Sequence, residues 1–160
     1  MRLVIATVGR LKDGPERALF EKYRDRFEPL AKRLGLAPVT WQEIGESRAA
    51  DVAKRRDEEG AALLKLVREA EFVIALDERG KQLTSDQFAK TLAKTRDSGA
   101  KAAGIIIGGP DGLSDAVRDA ARLQVALGAM TLPHQLVRVV LAEQLYRAAT
   151  ILSGHPYHRA

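Results

Sequence analysis

Three stretches of the chain carry residue types that do chemistry when brought together. Residues 104–114, GIIIGGPDGLS, run a β-branched stretch into Gly108, Gly109 and Pro110 and reopen as a helix. Glycine strips side chains from a place where something approaches the backbone closely, and the ends of strands in open α/β sheets are where such proteins hold ligands. Residues 127–132, LGAMTL, again leave main chain uncovered at Gly128 and Ala129. Residues 155–159, HPYHR, set two imidazoles, a phenol and a guanidinium behind the last helix break. Each of these groups contacts phosphate, stacks on a base or moves a proton. The bland alternatives are a plain strand-to-helix turn for the first stretch, a loop before a core helix for the second and a frayed terminus for the third.

Several chemistries are opposed by spacing. A P-loop needs Lys followed by Ser or Thr after its last glycine, and Leu113 and Ser114 stand there instead. Gly108, Gly109 and Gly112 only imitate the dinucleotide fingerprint, with Pro110 in the turn, which argues against a nucleotide-binding oxidoreductase. The three histidines show neither H-E-x-x-H nor His-rich spacing, so no metal is expected. G-x-S-x-G is absent and there is no cysteine, which leaves no obvious covalent nucleophile.

The elements that must position these stretches follow from periodicity. Apolar β-branched runs recur at 3–8, 39–44, 72–76 and 105–107, with a weaker one at 123–127. Helical patterns lie between them: Pro15 to about Leu34 with Gly35 as its stop, roughly Arg48 to Ala70, from Thr84 or Ser85 to before Gly99, and from a Ser114 cap. The second should solvate its charged half and bury Leu63, Leu64 and Val67, with Gly60 an irregularity. Pro133 starts the last helix, whose body runs from about Leu136 to Leu152 and is apolar around most of its circumference. Strands alternating with helices predict an α/β fold, a mostly parallel sheet with helices on both faces, in one domain over 1–160. The final helix carries more apolar surface than one sheet face covers, which points to a homodimer.

A chain of 160 residues suffices for one core without disulfides, and with no cysteine at all a reducing compartment is its natural home, so a cytoplasmic location is expected. Seven largely apolar residues before Gly9 are too few for a signal-peptide core or a membrane span. The net charge of +5 permits a polyanionic partner, and its distribution says more. From Ala120 onward the sole acid is Glu143, against Arg122, Arg138, Arg147, Arg159 and all three histidines. That quarter of the chain suits an anion.

FVIALDERGK, IIIGGPDGLS, TLPHQLVRVVLAEQLYRA and HPYHR, taken together with the VGRLK opening, resemble the RlmH family of ribosomal RNA methyltransferases in the SPOUT superfamily over nearly the whole chain. The resemblance implies a deep C-terminal trefoil knot formed by roughly residues 103–155, and a homodimer whose partner chain completes the site. It implies S-adenosyl-L-methionine as cofactor, held by Leu76, Gly108 and the run Leu127, Gly128, Ala129, Met130, Thr131 and Leu132. The implied reaction is methylation of N3 of a pseudouridine in 23S rRNA, within the large subunit or the assembled 70S ribosome. The expected catalytic residues are His158, Tyr157 and Arg138, with Arg138 anchoring phosphate or base and His158 or Tyr157 assisting proton removal. His134, His155 and Arg159 are expected to bind substrate, although His134 also reads as a residue capping its own helix turn. Glu143 is expected to pair with Arg147, and Tyr146 to serve catalysis or dimer packing. No membrane partner is expected, and a non-catalytic ribosome-binding factor on the same fold is the alternative.

Overall fold

The computed structural model describes residues 1–157. The β-branched runs form β1 (Arg2–Val8), β2 (Val39–Ile44), β3 (Phe72–Gln82), β4 (Ala102–Ile107) and β5 (Leu123–Ala126). They pair in parallel in the order β2-β1-β4-β3-β5. Between and after them run α1 (Pro15–Arg33), α2 (Val52–Leu66), α3 (Ser85–Asp97), α4 (Asp115–Ala120) and α5 (His134–Ser153). Because strand side chains alternate, Leu3, Ile5, Ile74, Leu76, Ile105 and Ile107 enter one core with residues of α1, α3 and α5. Val4, Ala6, Val8, Val73, Ala75 and Ile106 enter the other with Leu63, Val67 and Val117 of the α2–α4 side. The sheet is covered on both faces, as its near-continuous apolar strands require.

Helix starts follow local chemistry. Asp51, Thr84 and Ser114 accept from the amides of Lys54, Gln87 and Val117, and Gln87 returns the bond to Thr84 in a capping box. Gly35, at φ 70°, ends α1 as its position suggests.

Two expectations are corrected. The second helix is shorter than 48–70, because Asp51 caps it and Arg55 binds the carbonyls of Ala49 and Ala50 in the preceding loop. Its charged half is not wholly solvated either: Glu59 is 5% exposed, and Gly60 lies so close to Ser114 that a Cβ would stand 2.1 Å from its Oγ. The surplus on α5 is also smaller than its sequence suggests. Neighbours on α1 and α3, besides the sheet, cover Leu141, Leu145, Ala148 and Ala149, leaving Leu136 exposed. Among the described residues, no helix is long and apolar enough to cross a membrane.

Candidate functional site

A cavity of about 580 Å³ opens at the C-terminal ends of the central strands. Three loops wall it. The first follows β4: Gly108 and Gly109 leave the sheet, Pro110 and Asp111 turn, and Gly112, at φ 83°, donates its amide to the Gly109 carbonyl at 3.0 Å. The turn has no room for a side chain at its root. A Cβ on Gly108 would lie 2.9 Å from Leu113 Cδ2 and 3.0 Å from the Gly112 carbonyl oxygen. A Cβ on Gly109 would lie 2.9 Å from Val8 Cγ1.

The second wall is an interruption in β3. Leu76 and Lys81 both register with Val125 of β5, so residues 77–80 bulge out of the ladder. Gly80 makes the bulge possible, since a Cβ there would come within 2.6 Å of the Gln124 and Val125 backbone. The bulge turns Asp77, Glu78 and Arg79 onto the cavity. Asp77, 8% exposed, accepts from the Arg79 amide at 2.9 Å and from Arg118 Nε at 2.7 Å. Burial alone would raise its pKa, but the Arg79 amide and the Arg118 guanidinium outweigh burial and hold the carboxyl below its ordinary value. Arg118, one of the lining residues, also reaches Asp115 at 3.0 Å.

The third wall is the segment between β5 and α5. Leu127, Gly128, Met130, Thr131, Leu132, Pro133 and His134 line the cavity, with Leu76, Ile107, Val125 and Val137 supplying further apolar surface. Of the residues expected to hold a cofactor, Leu76, Gly108 and five of the six in 127–132 therefore come together. Ala129 is exposed and is not part of the lining. His134 is the first residue of α5, behind Pro133, and makes no side-chain cap. Its reading as a capping residue is corrected: the imidazole faces the cavity and the Gly9 loop.

Arg138, one turn on, is not an open anion anchor within this chain. It is 2% exposed and donates to the carbonyls of Val8 and Gly9, the latter at 2.6 Å, and to Glu43 at 2.7 Å. Burial pushes its guanidinium below the ordinary value against the pull of Glu43. It braces the ends of β1 and β2 beneath His134.

Tyr157 is likewise away from the cavity. Its hydroxyl donates to Glu143 at 3.1 Å, its ring lies 4.6 Å from that of Tyr146, and Arg147 sits 5.1 Å over it. Those partners stand on α5 beyond His134 by roughly 15 Å of helix. Burial, with neighbouring Tyr23 and Glu143, raises the phenol's pKa, and the hydroxyl serves as a donor to Glu143. Glu143 pairs with Arg147 at 2.6 Å as expected. Tyr146, 8% exposed, is packed within the chain rather than available to a partner. His155 accepts from the Tyr157 amide at 3.2 Å in a local turn. The expected His158 and Arg159 lie outside the described residues. Among those described, no group of three or more His, Asp or Glu converges as a metal site.

Gly80, Asp77 and Arg118 were not legible as site residues. The signal for the first was the glycine in LDERGK, after a strand whose apolar run had already ended; the Asp77–Arg118 pair spans 41 residues and leaves no local pattern.

A parallel sheet with a loop-walled cavity of this size, part apolar, part charged and lined by glycine main chain, defines an α/β protein that binds a small organic molecule. Comparison with known proteins makes the class specific. Residues 1–158 match the family model described as predicted SPOUT methyltransferase. Ribosomal RNA large subunit methyltransferase H of Xanthobacter autotrophicus is 58% identical over 160 residues, all of both chains, and its namesake from Rhodopseudomonas palustris (strain BisB18) is 54% identical over the same span. A probable methyltransferase from Bordetella pertussis Tohama I shares the fold at a TM-score of 0.51 and 13% identity, covering 92% of this chain and 95% of that one. The chain belongs to the SPOUT methyltransferases and, within them, to the family of the ribosomal RNA large subunit methyltransferases H.

Proposed function

We propose that the protein transfers a methyl group from S-adenosyl-L-methionine to N3 of a pseudouridine in 23S rRNA, acting on the assembled ribosome. The observation that carries the reading is the cavity between Leu76, Gly108 and the 127–132 segment, in a chain that matches rRNA methyltransferases along its whole length.

The residues present fit this donor. Gly108 lines the cavity with main chain on which a purine and ribose can form hydrogen bonds, its missing Cβ lets the turn close on Gly112 and Leu113, and Leu76, Val125, Leu127 and Leu132 offer apolar walls. The sulfonium supplies an electrophilic methyl group without a metal. What the chain supplies is alignment of the acceptor nitrogen, exclusion of water and a route for the imide proton. His134, whose imidazole lines the cavity beside the Gly9 loop, is assigned to contact the acceptor. The remaining polar groups come from the tail. Because Tyr157 lies away from its own chain's cavity, the reading places the tail, with His158 and Arg159, at the cavity of a second copy in a homodimer. Exposed Met130, Leu132 and Leu136, beside the cavity mouth, suit that contact. A knotted C-terminal half, holding the 104–112 and 127–132 segments against each other, belongs to the same reading.

Transfer of labelled methyl from S-adenosyl-L-methionine to ribosomes lacking the modification tests it. Label is expected in a single pseudouridine of the large-subunit RNA. A protein that binds ribosomes and transfers no label would be the non-catalytic factor instead.

A further inference from the structure

One face of α2 carries three contacts to the loop after β4 that the proposed reaction does not use. Arg55 Nε donates to Asp111 Oδ2 at 2.8 Å, in a pair whose side chains are 26% and 29% exposed. Four residues on, Glu59 is almost fully buried behind Gly109, its Oε2 standing 3.2 Å from where a Cβ on that glycine would be. The next residue, Gly60, permits the close approach of Ser114. Arg55 and Glu59, one turn apart, share a helix face, and with Gly60 on its flank they meet the segment that begins at Gly108 and ends at the α4 cap.

The same two charged side chains hold a second loop. Arg55 Nη1 donates to the carbonyls of Ala49 and Ala50 at 2.8 and 3.1 Å, and Glu59 Oε1 accepts from the Ser47 amide at 2.9 Å. The loop from β2 to α2 and the loop from β4 to α4 are thus tied through one pair of residues. Among the described residues, Glu59 Oε2 is buried with no hydrogen-bond partner. A buried carboxylate oxygen left unpaired is costly and calls for an explanation in structure or function.

We infer that Arg55 and Glu59 are positioning residues for the methyl-donor site: they fix the 108–112 turn in the shape that leaves its main chain open to the donor. The inference rests on the reading of that cavity as the S-adenosyl-L-methionine site. Neither side chain is required to touch the donor. Arg55 fixes the outer limb of the turn through Asp111, and Glu59 packs beneath Gly109 while its other oxygen holds the Ser47 amide of the neighbouring loop. A preformed loop binds tightly because no ordering cost remains to be met on association. Loosening either limb should therefore weaken donor affinity while leaving the sheet, whose core lies elsewhere, intact.

The test is calorimetric titration of the full-length protein with S-adenosyl-L-methionine, beside thermal melting without ligand, for wild type, Glu59→Ala, Arg55→Gln and Asp111→Asn. Alanine at 59 removes both the packing beneath Gly109 and the acceptor for the Ser47 amide. Each variant is expected to raise the Kd roughly tenfold at a melting temperature within a few degrees of wild type. Asp111→Asn combined with Arg55→Gln should lose little more than either alone, since both cut the same tie. Rescue of Arg55→Gln by Arg55→Lys should be partial, because lysine cannot reach Asp111 and two carbonyls at once. Folded variants that bind the donor as tightly as wild type would overturn the inference and leave the functional reading standing. So would affinities that fall only in step with melting temperature. If Glu59→Ala fails to fold, Arg55→Gln, whose side chain is not part of the cavity lining, decides the matter. Wild-type protein that gives no heat with the donor would remove both the inference and the reading beneath it.

Discussion

The site is built from what two residues lack and what two others share. Gly108 and Gly80 stand where any Cβ would meet backbone or packed side chain, at 3.0 Å from the Gly112 carbonyl and 2.6 Å from β5 respectively. Gly108→Val should abolish donor binding, measured by the loss of any melting shift with S-adenosyl-L-methionine; at a hundredfold excess over Kd the wild type should gain about 2.7 kcal/mol. The Asp77–Arg118 pair has the opposite character, since its charges give the cavity a fixed polar edge. The folded pKa of Asp77 lies below its unfolded value of about 3.9. Its stabilisation is therefore fully present above that value and is lost as pH falls through the folded pKa. Asp77→Asn should lower stability at pH 7 by about 3 kcal/mol, because it leaves a largely buried guanidinium short of a partner. It should also flatten the decline in melting temperature below about pH 4. An unchanged acid profile in the variant would assign that decline to other carboxylates.

At the scale of elements, the bulge in β3 decides where the cavity opens. Gly80→Ala should cost about 1–3 kcal/mol, since the clash is with backbone that cannot rotate away, and chemical denaturation measures it directly. Tyr157→Phe removes one partly exposed hydrogen bond, to Glu143, and should cost about 1 kcal/mol or less in the same assay. The strands, the helix caps at Thr84 and Ser114, and the glycine turn were legible because each is set by residues within a few positions of one another. Leu76, Gly108 and the 127–132 segment were found through a resemblance, and the structure brings all but Ala129 to one cavity. What could not be read has a common cause. The burial of Glu59, the Arg138 bonds to Val8 and Gly9, and the Asp77–Arg118 pair depend on contacts 12 to 130 residues apart in sequence, which periodicity does not carry. Arg138 was expected as an anion anchor through the resemblance, and an arginine on a largely apolar helix gives no sign of which carbonyls fold over it.

For the whole molecule, the account joins a donor site in one chain to a tail that reaches the acceptor in another. If so, Gly108→Val with an intact tail and a chain ending at Gly154 with an intact cavity should each be inactive alone. Mixed under exchange, they should recover up to about a quarter of wild-type transfer, because half the dimers then hold one complete site. A mixture as inactive as its parts would mean that each tail serves its own chain. All of this depends on the donor occupying the loop-walled cavity. The most direct measurement is a crystal structure of the protein soaked with S-adenosylhomocysteine. The account predicts the ligand between Leu76, Gly108 and residues 127–132, held chiefly by main-chain groups. A ligand bound elsewhere, or one held there by charged side chains with the glycine turn rearranged, would contradict it.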